Sequence, residues 1–231
     1  MDNHFFIDEP NLYTLEYVEL SGQEAKHASK VLRKSVGDLL ILVNGEGCKA
    51  TAEIQSIQKS SLSLRIQSRE LREQPEGKKV LGLGIIKVRD RFEFAIEKAV
   101  ELGATTICLF ESDHSERTRI KEDRLEAIIQ SAFKQSGRWW KPELIIKNDL
   151  KSVLFEFADH EVLMAHEKKQ VEPPISSQKK EKLLLVGPEG GFSEKEVELV
   201  ARAGGELISL GVNRLRAETA VAALLSQFLF D

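Results

Sequence analysis

The chain has 231 residues, 42% of them hydrophobic, a formal net charge of −4 and two cysteines. This length and apolar content exclude a fibrous or disordered protein and leave room for one large domain, or for a small domain followed by a medium one. No apolar run approaches a membrane span, the amino terminus MDNHFFIDEPNLY is acidic where a secretory signal would be basic, and Cys48 and Cys108 have no metal-binding or disulfide spacing around them. A soluble, cytoplasmic protein with no membrane partner and no metal is the expectation.

LEYVEL (residues 15–20) alternates as a strand, and Ser21 with Glu24 forms an S-x-x-E capping pattern that predicts a helix to about Lys34, stopped by Gly37. LLILVN, KATAEIQSI and SLSLRIQ follow as short β-rich runs separated by NGEG and KSS turns, so residues 1–72 read as a small β domain carrying one helix. The polar stretch ELREQPEGKK (70–79) marks its end, and residues 76–231 form the second domain.

There the pattern changes to alternating strands and helices. VLGLGII is a buried strand, and RDRFEFAIEKAVEL places Phe92, Ile96, Ala99 and Val100 on one helical face before Gly103. TTICLF is the next strand, followed by the helix DRLEAIIQSAFKQ, which buries Leu125, Ile128, Ile129 and Ala132 and ends at Gly137. RWWKPELII, a short helix near 149–157, the strand EVLMAH, a Lys/Glu/Pro-rich loop (167–182) and the strand LLLV complete a series that predicts an α/β fold with a mostly parallel sheet.

The densest motif is LLLVGPEGGFSEKEV (183–197): a strand, the run Gly187-Pro188-Glu189-Gly190-Gly191, and a second capping pattern at Ser193 and Glu196. Adjacent glycines after a strand let the backbone approach a ligand and present N–H groups beside a helix start, although an empty strand-to-helix turn uses the same residues. SLGVNRLRAETA (209–220) follows the next predicted strand, and two unusual loops at the carboxyl ends of neighbouring strands indicate a ligand crevice. GPEGG lacks the GK[ST] ending of a P-loop, Gly82-x-Gly84 lacks the third glycine of a dinucleotide fingerprint, and the five histidines have no metal spacing.

Lys26, Lys30, Arg33 and Lys34 fall at i, i+4, i+7 and i+8, a stripe that reads either as phosphate-contacting or as a solvated helix face. Lys134, Arg138, Trp139, Trp140 and Lys141 interleave cations with aromatics that could stack on an unpaired base, although such tryptophans are more often core or interface residues. The last helix, RAETAVAALLSQFLF, is apolar on nearly every face, which asks for cover on all sides and makes a partner subunit a natural one.

HASKVLR, DRFEFAIEKAVELG, SERTRIKEDRLEAIIQSAFKQSGR, LVGPEGGFSEKEV and SLGVNRLRAETA stand in the order found in the ribosomal RNA small subunit methyltransferase E family, and the chain resembles that family from end to end. The resemblance implies an N-terminal PUA-like β-barrel for RNA and a C-terminal SPOUT α/β domain with a deep trefoil knot. It also implies a homodimer and S-adenosylmethionine-dependent N3-methylation of a uridine in 16S ribosomal RNA of the small ribosomal subunit. It places the cofactor on Leu185, Gly187, Glu189, Gly190 and Gly191, on Leu210 and Gly211, and on Asn213, Leu215, Arg216, Thr219 and Ala220. Arg216 and Glu218 become the candidate catalytic residues, and Lys26, Lys30, Arg33, Lys34 and Arg138 the RNA-binding ones. Three other readings stay open: a knotted methyltransferase with another RNA target, such as a transfer RNA ribose hydroxyl, a non-catalytic RNA-binding protein of the same fold, and an unrelated α/β protein that uses GPEGG as a phosphate cradle.

Overall fold

The computed structural model describes residues 4–116, 120–167 and 180–228. The chain divides into two compact units, Met1–Pro75 with Phe133–Lys141, and Glu76–Ala132 with Pro142–Asp231.

In the first unit β1 (His4–Phe6), β2 (Tyr17–Ser21), β3 (Leu39–Val43), β4 (Cys48–Ile57) and β5 (Ser61–Leu71) form one sheet in the order β1-β3-β4-β5-β2. β1 lies parallel to β3 and the other pairs are antiparallel. Alternation sends Ala50, Ala52 and Ile54 of β4 and Leu62, Leu64 and Ile66 of β5 into a core with Phe5, Leu12, Leu20, Leu40 and Leu42. Strand β1 was not foreseen. It is three residues long, too short for alternation to register.

The predicted first helix is shorter than its pattern. α1 spans Gly22–Lys26, widens into a π-helical turn over His27–Val31 and stops, with Arg33 left-handed at φ 54 and the Lys34 N–H reaching back to Ala28 O. Lys26 and Lys30 therefore belong to the helical segment, whereas Arg33 and Lys34 lie beyond it, so the four-residue stripe is broken and Gly37 plays no part in the stop. Ser21 makes no side-chain cap.

Phe133–Lys141 clusters with the first unit. There Phe133 meets Phe6 edge to face, Lys134 pairs with Glu24, and Lys49 donates to Gly137 O at 2.7 Å.

The second unit is built on β6 (Lys79–Gly84), β7 (Thr106–Phe110), β8 (Glu143–Lys147), β9 (Glu161–Ala165), β10 (Lys182–Val186) and β11 (Glu206–Ile208), in the order β11-β9-β10-β6-β7-β8. Every pair is parallel, and the central strands β6, β7 and β10 are almost wholly buried, as a doubly covered parallel sheet requires. The helices are α2 (Arg89–Glu101), α3 (Glu122–Ser136), α4 (Leu150–Glu156, capped by Asp149), α5 (Glu194–Arg202) and α6 (Ala217–Ser226).

From β6 the chain moves outward through β7 to β8, returns beyond β6 to β9, and fills the gap with β10. The order thus reverses between β6 and β10, and in such sheets the crevice outside the carboxyl ends of these strands is where ligands bind. β11 does not neighbour β10, contrary to the sequence reading, because β9 lies between them. The segment after β11 nonetheless returns to this place, since α6 packs on α2 and β10. Those contacts cover Val221, Leu224 and Leu225 within the same chain. The large apolar side chains of α6 therefore need no second subunit to bury them. Ala220, Ala222 and Ala223 remain half-buried and Thr219 exposed.

Candidate active site

Three loops meet at the carboxyl ends of β6, β7 and β10. The loop after β10 begins with Gly187 and Pro188, both buried, and turns so that the Gly191 N–H donates to Pro188 O at 2.9 Å. A Cβ on Gly187 would stand 3.1 Å from the Gly191 carbonyl carbon, a tight contact, and one on Gly190 would stand 2.8 Å from His114 Cβ, so close that something would have to shift. Gly191, at φ 71, faces open space. The predicted capping box is present: Ser193 Oγ accepts from Glu196 N at 3.2 Å, and Glu196 Oε2 accepts from Ser193 N at 2.8 Å.

The loop after β7 is fastened to this turn. Glu196 is 4% exposed and also accepts from Ser112 Oγ (3.0 Å) and from the Asp113 N–H (3.3 Å), while Ser193 Oγ donates to Asp113 Oδ2. His114 Nδ1 lies 3.2 Å from both Gly190 O and Gly191 O. Two carbonyl oxygens on one ring nitrogen require that nitrogen to carry the proton, which fixes the tautomer of the neutral ring.

Glu189 reaches the loop after β6. Its Oε2 accepts from Lys87 N at 3.0 Å and its Oε1 from Val88 N at 3.3 Å, at the residue that precedes α2. Burial disfavours its ionised form, yet the N–H groups of Lys87, Glu189 itself and Val88, with Arg91 nearby, hold its carboxyl below the usual range. The carboxylate thus serves the segment that leads into α2, although Glu189 is nearer in sequence to α5. Pro188 sits so close to β6 that a Cβ on Gly84 would lie 2.7 Å from Pro188 Cδ.

The segment after β11 carries Leu210, half-buried, and Gly211, at φ 132 and facing open space, with Ser209 Oγ donating to Gly211 O. Asn213, Arg214 and Arg216 are exposed, and Arg214 pairs with Glu167. Arg216 is the N-cap residue of α6 and forms no ion pair among the described residues. Two residues on, Glu218 Oε1 lies 3.6 Å from Arg91 Nε of α2, and its Oε2 is buried without a hydrogen-bond partner.

Residues 72–229 match the model of the RNA methyltransferase domain family, and residues 20–67 that of the RNA methyltransferase PUA domain. The chain is 31% identical over 230 residues to the ribosomal RNA small subunit methyltransferase E of Bacillus subtilis, covering 92% of this chain and 89% of that one. The chain belongs to the ribosomal RNA small subunit methyltransferase E family. A member from Neisseria gonorrhoeae, whose crystal structure is bound to S-adenosylmethionine, superposes with a TM-score of 0.86 at 26% identity, covering 99% of this chain and 97% of its own. A putative methyltransferase from Legionella pneumophila in complex with the same cofactor gives 0.86 at 29% identity, covering 98% and 96%.

Of the residues that the family resemblance assigned to cofactor, Gly187, Glu189, Gly190 and Gly191 lie together in the β10 loop, and Leu210, Gly211, Asn213, Leu215, Arg216, Thr219 and Ala220 follow β11. Leu185 is fully buried inside β10, its side chain against Gly82. Sequence reasoning missed Ser112, Asp113, His114 and Arg91, although all four stand where a strand gives way to a loop or helix on the side the glycine motif faces. Arg138, read as RNA-binding, is half-buried, and burial pushes its guanidinium down to about 10. Trp139 has Lys49 and Arg72 over its ring, at 4.3 and 4.5 Å from the centroid, so this ring is already engaged by the cations of its own unit. Among the described residues no group of three or more His, Cys, Asp or Glu could hold a metal ion, and no helix is long and apolar enough to cross a membrane.

Proposed function

We propose that this protein methylates N3 of a specific uridine in 16S ribosomal RNA, with S-adenosylmethionine as the methyl donor. The observation that carries the reading is the fastened glycine turn at the reversal point of the parallel sheet, in a chain belonging to a family with cofactor-bound members. The residues fit the cofactor: Gly187 is tightly packed and Gly190 leaves no room for a side chain without a shift of His114, while Gly191 and Gly211 border open space that a ligand can fill. When bound, S-adenosylmethionine supplies an electrophilic methyl group on a sulfonium. The chain then has to hold and orient the uracil so that N3, having given up its proton to water, attacks the methyl carbon in line as the carbon–sulfur bond breaks and S-adenosylhomocysteine leaves; such positioning is worth roughly 7–11 kcal/mol of barrier. Because N3 is on the pairing edge, the base must be unpaired or extruded.

Arg216, exposed at the start of α6, is the group we assign to the target uracil or its phosphate. Glu218, held at Arg91, is assigned to positioning that arginine. The remaining cofactor-facing assignments are Leu185, Glu189, Leu210, Asn213, Leu215, Thr219 and Ala220, with Leu185 and Glu189 supporting the loop from behind. Residues 1–72 are assigned to RNA as a PUA-like barrel, with Lys26, Lys30, Arg33 and Lys34 as phosphate contacts and Arg138 in support, and residues 76–231 to the methyltransferase domain. The family resemblance further supports a trefoil-knotted SPOUT domain, a homodimer and a cytoplasmic location.

The test is transfer of labelled methyl from S-adenosylmethionine to small ribosomal subunits lacking the modification, followed by nucleoside mass spectrometry. The expected product is 3-methyluridine. A methyl group on a ribose hydroxyl would overturn the uracil assignment, and no transfer to subunits or free RNA would overturn the enzyme reading for this substrate.

A further inference from the structure

The two motif loops of the site are separated by α5 and β11, and a single helix touches the elements at both. At its start, the N–H groups of Lys87 and Val88 are held by the Glu189 carboxylate of the glycine turn. One turn further, Arg91 faces Glu218 in the first turn of α6. Val88 provides no side-chain cap for α2, and the Glu189 carboxylate holds the N–H groups of the two residues that lead into it, where a negative charge is also favoured by the helix dipole. A cation such as Arg91 in a first turn is disfavoured by the same dipole, and Glu218 is the acid that compensates it. Glu218 in turn has one carboxylate oxygen buried without a hydrogen bond, so its position depends on the contact with Arg91.

We propose that Glu189, Arg91 and Glu218 form a positioning relay through α2, by which the glycine turn sets the orientation of the first turn of α6 and so of Arg216. None of the three touches the reacting atoms. Glu189 fixes where α2 begins, α2 carries Arg91, and Arg91 fixes Glu218 two residues from Arg216. The relay makes the glycine turn, which holds the cofactor, responsible also for aiming the residue that meets the RNA. This inference rests on the proposed methyl transfer for its catalytic meaning, but not for its structural content.

The experiment compares Glu189→Gln, Arg91→Met and their double variant with the unaltered full-length protein, and includes Arg91→Lys as the conservative replacement. Calorimetry gives S-adenosylmethionine affinity, methyl transfer to unmodified small subunits gives kcat and KM, and hydrogen exchange follows the amides of Glu218, Thr219 and Ala220. In each single variant kcat is expected to fall about 10–100-fold, the scale of a small misplacement of a reacting group. KM for the subunit is expected to stay within about threefold in both, and so is cofactor affinity in Arg91→Met, which lies outside the assigned cofactor residues, the pattern of an interaction that acts only on the transition state. The double variant should be no slower than the worse single one, because residues in one chain of contacts are not additive. Arg91→Lys should recover part of kcat, and exchange at the start of α6 should quicken in both single variants.

Multiplicative losses in the double variant would overturn the relay, as would unchanged exchange at α6 in Glu189→Gln. Cofactor affinity falling in step with kcat in Arg91→Met would make Arg91 a cofactor contact and overturn its place in the relay. Should the unaltered protein transfer no methyl group, the functional reading fails, while hydrogen exchange still decides whether the relay exists.

Discussion

Replacing Glu196 tests whether the site is a fastened assembly or three loops that happen to lie together. Its carboxylate is 4% exposed and satisfies three donors: Ser193 N at 2.8 Å, Ser112 Oγ at 3.0 Å and Asp113 N at 3.3 Å. Hydrogen bonds to a charged group contribute about 1.5–3 kcal/mol each, but the three donors share one acceptor and partly rehydrate when it is removed. Glu196→Ala is therefore expected to cost about 3–5 kcal/mol in all, a large share of the 5–15 kcal/mol of a typical domain. Glu196→Gln keeps one acceptor oxygen and should cost about half as much. The assay is urea unfolding of both variants, with S-adenosylmethionine calorimetry below the transition. A midpoint shift equivalent to less than about 1 kcal/mol in Glu196→Ala, with cofactor affinity unchanged, would refute the view that this carboxylate ties the β7 loop to the cap of α5.

The Arg124 guanidinium, with Arg89 beside it, holds the Glu93 carboxyl at about 2 against the effect of burial. A depressed carboxyl stabilises the fold above its ordinary value of 4.5 and loses that contribution as pH falls towards 2, so the stability gap between the natural protein and Glu93→Gln should be constant near neutrality and close between pH 4.5 and 2 in acid-unfolding curves. Gly190→Ala forces a Cβ to within 2.8 Å of His114 Cβ, and the overpacking should cost about 1–3 kcal/mol and weaken cofactor binding by calorimetry without changing far-UV circular dichroism. Burial pushes the Cys108 thiol up to about 12, partly offset by Lys147, and raises Cys48 as well, so iodoacetamide at pH 8 should label neither cysteine until the protein is unfolded in denaturant.

What the sequence made legible was local. Strand β10, the helix α5 and its capping box, the short helix α4 and the buried face of α2 all follow from period and spacing within a dozen residues. The insertion of β10 between β9 and β6 was not legible, because alternation of strands and helices says that a sheet is parallel without saying in which order its strands lie. The partners of the glycine motif were hidden for the same reason. Glu189 is 102 residues from Lys87, and His114 is 76 from Gly190, so no local pattern links them. Glu189 was legible as a residue of the site, but its task was not.

Two identical patterns with opposite outcomes show where local reading stops. Ser21-x-x-Glu24 and Ser193-x-x-Glu196 both predict a capping box, and only the second forms one. Ser193 is free to adopt the cap conformation because β10 has already ended and a glycine turn precedes it. Ser21 is still the last residue of β2, paired with Ser61, and the chain must turn through Gly22 at φ 66 to begin α1. Glu24 is then drawn to Lys134, a partner supplied by a segment 110 residues away. A capping pattern therefore states what a helix start can use, and the neighbouring strand and the long-range charge decide whether it is used. The same logic applies at the site, where Glu189 lies next to one helix start and serves another.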